Sequence, residues 1–161
     1  MTEKKYRMAV GAIVTDIDDN IVAFQRSDFP EDWQGVEGGI DGNETPSEAI
    51  IREIYEEIGL TENSYKIIKQ LEEPYSYDFP NGVKRWGFED GKKVEFDGQS
   101  KYFFLIKLNK RNDDIGFRYD VVPEETEFLS FRLFKNAEEL VEKVPPFKKD
   151  MYKYILTKFG L

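Results

Sequence analysis

The chain has 161 residues, 40% hydrophobic and 15% aromatic, with a formal charge of −9; this fits one domain burying its own core and argues against a disordered chain. It contains neither cysteine nor histidine, which excludes a thiol nucleophile, a histidine general base and the usual zinc sites. Any chemistry has to rest on carboxylates, whose oxygens prefer hard cations such as Mg²⁺, Mn²⁺ or Ca²⁺.

The apolar stretch Met8 to Val14 follows Lys4, Lys5 and Arg7 and soon reaches Asp16-Ile17-Asp18-Asp19. It is too short and wrongly flanked for a signal peptide or a membrane span, so a soluble cytoplasmic protein is expected. Tyr6 to Thr15 and Ile21 to Gln25 read as a strand pair across the turn Asp18-Asp19-Asn20. A loop rich in Pro, Glu and Asp leads to Trp33, and Gly38-Gly39-Ile40-Asp41-Gly42-Asn43 reads as a tight turn. Thr45-Pro46-Ser47-Glu48 then opens a helix: Thr as N-cap, Pro at the first position, and Glu three residues on to complete a capping box. Gly59 stands where that helix stops, and Ile50, Ile54 and Ile58 give it an apolar stripe. Tyr65 to Leu71, Val83 to Phe88, Lys101 to Leu108 and Glu127 to Phe134 read as strands. Helices are expected over about Ala137 to Lys143 and Lys148 to Phe159, split by Pro145-Pro146. No repeat or linker divides residues 1–161, so the expectation is a single α/β domain, a mixed sandwich.

On the first helix Glu57 lies about 40° around the axis from Glu53, and Glu56 about 60° the other way. Three acids therefore share one face, and Arg52 is the helix's only cation. Three acids facing water would repel one another by a few tenths of a kcal/mol per pair. A divalent ion bridging them turns that repulsion into ligation.

The surrounding spacing is more specific: Gly38, five residues, Glu44, seven residues, then Arg52-Glu53-Ile54-Tyr55-Glu56-Glu57-Ile58-Gly59-Leu60. Seven fixed identities at average usage would coincide by chance with a probability on the order of 10⁻⁸. This pattern resembles the box of the Nudix hydrolases at every fixed position. The resemblance implies a Nudix-like α/β/α sandwich with a mixed curved sheet and a loop–helix–loop. That loop–helix–loop would bind Mg²⁺, with Mn²⁺ as a substitute, and position a water to attack phosphorus in a phosphoric anhydride. It casts Glu53, Glu56, Glu57 and the carbonyl of Gly38 as metal ligands and Arg52 as the residue orienting the glutamates, with Glu44 and Gly59 structural.

Further segments extend the likeness across nearly the whole chain. They are Tyr6-Arg7, Trp33-Gln34, Tyr77 to Pro80, Lys84-Arg85-Trp86, Gly98-Gln99 with Lys101-Tyr102-Phe103, Glu127-Phe128 and Phe147-Lys148-Lys149-Asp150. Together they are similar to the bacterial branch of RNA pyrophosphohydrolases and dinucleoside polyphosphate hydrolases. That branch implies Glu127 as a further carboxylate of the metal site. Arg7, Arg26, Lys84, Arg85 and Lys101 are candidates for substrate phosphates, and Tyr77 and Phe147 for stacking a base.

The implied substrate is a 5′-triphosphate RNA end or a dinucleoside polyphosphate. The alternatives are a housecleaning hydrolase of small nucleoside polyphosphates or sugar nucleotides, and a non-catalytic nucleotide-binding module. The acidic charge, and a long acidic loop read from Gly87 to Gln99, argue against extended nucleic-acid binding.

Overall fold

The computed structural model describes residues 3–161. In chain order the strands and helices are β1 (Tyr6–Thr15), β2 (Ile21–Arg26), β3 (Trp33–Gln34), β4 (Val36–Gly39), α1 (Pro46–Ile58), β5 (Tyr65–Gln70), β6 (Tyr75–Asp78), β7 (Arg85–Glu89), β8 (Lys92–Phe96), β9 (Gly98–Leu108), α2 (Asn112–Ile115), β10 (Phe128–Phe134), α3 (Ala137–Lys143) and α4 (Lys149–Lys158).

The centre of the main sheet is the parallel pair β1 and β9, in register from Tyr6 opposite Gly98 to Thr15 opposite Lys107. Around it the order is β10-β2-β1-β9-β5, with β3 on β2, β4 on β1 and β6 on β9. Every ladder except β1–β9 is antiparallel, so the sheet is mixed, as expected.

Side chains alternate between the two faces of each strand. Val10, Ala12 and Val14 of β1, with Phe104, Ile106 and Leu108 of β9, pack against Ile50, Ile54 and Ile58 of α1. Ile13 and Phe103 point the other way, to Leu140 and Val141 of α3 and Met151, Tyr152, Ile155 and Leu156 of α4. The α/β/α layering thus follows from one alternation in two central strands. Burying side chains of this size stabilises the fold by about 1.5–3 kcal/mol each.

Helix α1 begins and ends as its sequence dictates. Thr45 Oγ1 accepts from the Glu48 N–H at 3.2 Å, and Glu48 returns a carboxylate to the Thr45 N–H at 3.1 Å. Gly59 closes the helix in the left-handed region at φ 73°.

The structure corrects the expected reading in two places. Residues 87–99 are not a loop, because β7 and β8 form a separate two-stranded hairpin. Asp90 and Gly91 connect them with φ of 52° and 75°, the conformation that a two-residue Asp-Gly hairpin turn takes. Its acids are partly offset: Glu89 pairs with Lys5 at 2.9 Å and Asp97 with Lys84 at 3.5 Å. The short strands β3, β4 and β6 are additional to those read from the sequence. Among the described residues no helix is long and apolar enough to cross a membrane.

Candidate active site

Strand β4 carries Glu37-Gly38-Gly39 along the edge of β1, pairing Gly38 with Val10 and Gly39 with Ala9. Gly38 and Gly39, read from the sequence as part of a tight turn, thus end a strand, and this brings their backbone directly against α1. A Cβ on Gly38 would run into the carboxylate of Glu53, and one on Gly39 into the guanidinium of Arg7. Bare backbone at both positions leaves room for these two side-chain ends where they stand.

Arg52 ties the loop to the helix. Its Nε donates to Glu44 Oε2 at 2.8 Å and its Nη2 to Glu44 Oε1 at 2.9 Å, a two-pronged pair; Nη2 also reaches the Gly39 carbonyl at 2.9 Å. Its Nη1 donates to Glu53 at 2.8 Å and to Glu56 at 3.2 Å. Glu44 in turn accepts from the Asp41 N–H at 2.8 Å. One planar cation therefore orders the turn and two of the candidate metal-binding glutamates.

Glu57 differs from its neighbours. It is only 5% exposed, and its Oε2 is buried with no hydrogen-bond partner. Burial pushes its carboxyl well above the ordinary range, reinforced by the negative charges of Glu53, Glu127 and Glu37, against a backbone N–H from Glu37. Burial likewise raises Glu53 to about 7, against the pull of Arg52 and with help from Glu56. An orphaned carboxylate oxygen inside a group of acids is costly without a cation. The donor set, all oxygen, is the kind that Mg²⁺ or Mn²⁺ takes. Among the described residues no three acids already converge into a closed cluster. Arg52 instead draws Glu53 and Glu56 to itself while Glu57 stands apart, so the carboxylates fit the ion as wall groups that would turn toward it.

These residues line one cavity of about 1180 Å³. Gly38, Arg52, Glu53, Glu56, Glu57 and Glu127 line it, together with Arg7, Arg26, Tyr77, Arg85, Lys101 and Phe147. Glu127 is placed just before β10, where its carbonyl accepts from the Ser27 N–H at 2.9 Å. Burial and the nearby Asp28 raise its carboxyl.

Of the cationic candidates, Arg26 is held by Asp28 through bonds of 3.0 and 2.7 Å. Arg85 lies over the Phe79 ring at 4.8 Å. Tyr77 and Phe147 have ring centroids 6.2 Å apart, which makes an aromatic corner. Lys84 is the exception: it is not on the cavity wall and pairs with Asp97. The acids of the hairpin, Glu89, Asp90 and Glu95, are also absent from the wall, which instead includes Glu31, Asp32, Asp41 and Glu125.

The structure adds a buried polar cluster that sequence reasoning missed. The side chain of Glu37, 5% exposed, receives Lys101 and, at 3.1 Å, Lys148 on Oε1, and the Tyr152 hydroxyl at 2.6 Å on Oε2. Lys148 also donates to Gln34 at 3.0 Å, and Tyr152 accepts from the Gly35 N–H at 2.9 Å. Burial alone would raise the Glu37 carboxyl, but Lys101 and Lys148 outweigh it and hold it at about 2. Lys101 is therefore committed to Glu37 rather than standing free for a phosphate. The one sequence trace of this cluster is a charged residue set among Val36, Gly38 and Gly39, in a strand too short to show a period.

Comparison with known proteins identifies the family and the fold. The NUDIX domain family model matches residues 5–155. An RNA pyrophosphohydrolase of Helicobacter pylori (strain P12) is 34% identical over 163 residues, covering 99% of this chain and 96% of that protein. One from Nitratiruptor sp. is 36% identical over the same span, with the same coverage. The structure of the E. coli dihydroneopterin triphosphate pyrophosphohydrolase superposes with a TM-score of 0.63 at 16% identity, covering 96% of this chain and 99% of that one, a likeness of fold.

Proposed function

This chain belongs to the Nudix family of hydrolases acting on phosphoric anhydrides, and from that premise we propose that it is a Mg²⁺-dependent pyrophosphohydrolase of 5′-triphosphate RNA ends and dinucleoside polyphosphates. The observation that carries the reading is the buried, unpartnered Glu57 oxygen in a cavity that Glu53, Glu56 and Glu127 also line, together with arginines and an aromatic corner.

The parts divide by chemistry. Glu53, Glu56, Glu57, Glu127 and the Gly38 carbonyl would hold the cation, while Arg52 orients Glu53 and Glu56. When bound, Mg²⁺ or Mn²⁺ supplies charge neutralisation at phosphorus and a lowered water pKa. Arg7 and Arg85 meet the polyphosphate, and Tyr77 and Phe147 receive a base, since phosphoryl transfer asks for placement and charge balance more than for covalent chemistry. A carboxylate accepts the proton of the attacking water, so no histidine is needed.

Glu31, Asp32, Asp41 and Glu125 on the wall favour short substrates over a long phosphate backbone. The relatives' names support RNA ends as one substrate class. Incubation with 5′-triphosphate RNA, diadenosine tetraphosphate and a nucleotide sugar, each with Mg²⁺ and with Mn²⁺, identifies the bond that is cut. Turnover of the first two is expected. Turnover of the nucleotide sugar alone would replace this reading with a small-nucleotide hydrolase.

A further inference from the structure

Two lysines line the cavity almost out of reach of solvent, Lys101 at 3% exposure and Lys148 at 8%. Both donate to the same oxygen of Glu37, whose side chain also lines the cavity. Their ammonium groups sit beside the aromatic corner: Lys101 Nζ is 5.3 Å from the Tyr77 ring centroid and Lys148 Nζ 5.7 Å from that of Phe147. One carboxylate thus occupies the place that a phosphate oxygen would take between two cations. With Glu37 ionised the trio carries a net charge of one positive unit; without it the wall would present two.

We propose that Glu37 is a built-in counter-anion that sets the cavity's affinity for polyphosphate by holding Lys101 and Lys148 to itself. This rests on the reading of the cavity as a polyphosphate site. Its consequence is a weaker grip on polyphosphate, so that product leaves rather than staying on a doubly cationic wall. Glu37 acts through the lysines and touches no reacting atom, so it is a positioning residue.

The direction of the effect separates this role from a structural one. Loss of packing weakens binding, whereas loss of a nearby negative charge in partly buried surroundings tightens anion binding by about tenfold or more. Calorimetric titration of the full chain with inorganic pyrophosphate in Mg²⁺ reads it. Glu37→Gln is expected to bind about tenfold tighter, with kcat and KM both lowered, and the charge-balanced pair Glu37→Gln with Lys148→Gln to return to within about threefold of wild type. Unchanged or weaker binding by folded Glu37→Gln overturns the proposal.

Should that variant not fold, Lys148→Gln decides, because it leaves Glu37 paired with Lys101 and Tyr152 and the trio neutral. Binding about tenfold weaker supports the proposal, and unchanged binding overturns it. Wild-type protein that binds no pyrophosphate would remove the polyphosphate reading itself. Wild-type binding with an unresponsive Glu37→Gln removes only the role of Glu37.

Discussion

Glu57 and Glu53 share a helix face and differ in what satisfies them. Glu53 has Arg52 at 2.8 Å, while one oxygen of Glu57 has no partner at all. Replacing Glu57 by Gln keeps the shape and removes a buried acid. The variant is expected to lose activity by about 10²-fold or more, the scale on which removing one electrostatic stabiliser of the transition state lowers a rate. Its metal-free melting temperature is expected to match or exceed wild type. A fall of several degrees in a thermal melt would mean that the side chain is a structural acid.

Glu53 predicts a pH dependence. In the metal-free fold burial holds its carboxyl near 7, above the 4.5 of an exposed glutamate, so the fold keeps a proton that the unfolded chain gives up. This contribution to stability is complete below about pH 4.5 and lost as pH rises through about 7. A cation needs the ionised form, so added Mg²⁺ is expected to raise the melting temperature more at about pH 8 than at about pH 6. Equal shifts at both pH values would separate Glu53 from the metal.

Element by element, α1 is the most legible part of the molecule. Its cap, its stop at Gly59 and its apolar stripe are all local signals, and Thr45→Ala is expected to cost about 1 kcal/mol in denaturant unfolding. The packing of its stripe against β1 and β9 is worth more: Ile54→Ala, at a site 1% exposed, is expected to cost about 2–5 kcal/mol. The Nudix spacing from Gly38 to Gly59 was equally readable, since each fixed residue serves a short-range task.

Of the hairpin β7–β8 only the first strand is legible, within the segment Val83 to Phe88; β8 is not, although Asp90-Gly91 marks the turn, because Lys92-Lys93-Val94-Glu95-Phe96 carries charge rather than an apolar period. β3 and β4 are two and four residues long, below the length at which alternation can be seen. Glu37, Lys148 and Gln34 escaped for a different reason. Lys148 and Glu37 are 111 residues apart in the chain, and only the packing of α4 against the strand edge brings them together. The Gly38 backbone exerts its effect at the same scale: Gly38→Ala is expected to leave the melt nearly unchanged while displacing Glu53 and lowering activity steeply, measured as kcat with saturating Mg²⁺.

At the scale of the whole molecule, the alternation in β1 and β9 separates two cores, and the cavity opens where β4, α1 and the start of α4 meet. The acidic composition and the active site are linked there. Glu31, Asp32, Asp41 and Glu125 add negative charge to a cavity lining whose lysines are already paired with Glu37. Affinity for a longer RNA is therefore expected to gain little over that for a short 5′-triphosphate end, and to show a shallow salt dependence. A steep decline of binding with salt would reveal an additional basic surface.

The most direct measurement is single-turnover hydrolysis of a short 5′-triphosphate RNA with and without Mg²⁺, by wild type and by Glu57→Gln. Mg²⁺-dependent release of pyrophosphate or phosphate by wild type, reduced about 10²-fold or more in the variant, is the predicted result. Equal rates in wild type and variant, or a wild-type rate indifferent to Mg²⁺, would contradict a carboxylate-held metal site at Glu57.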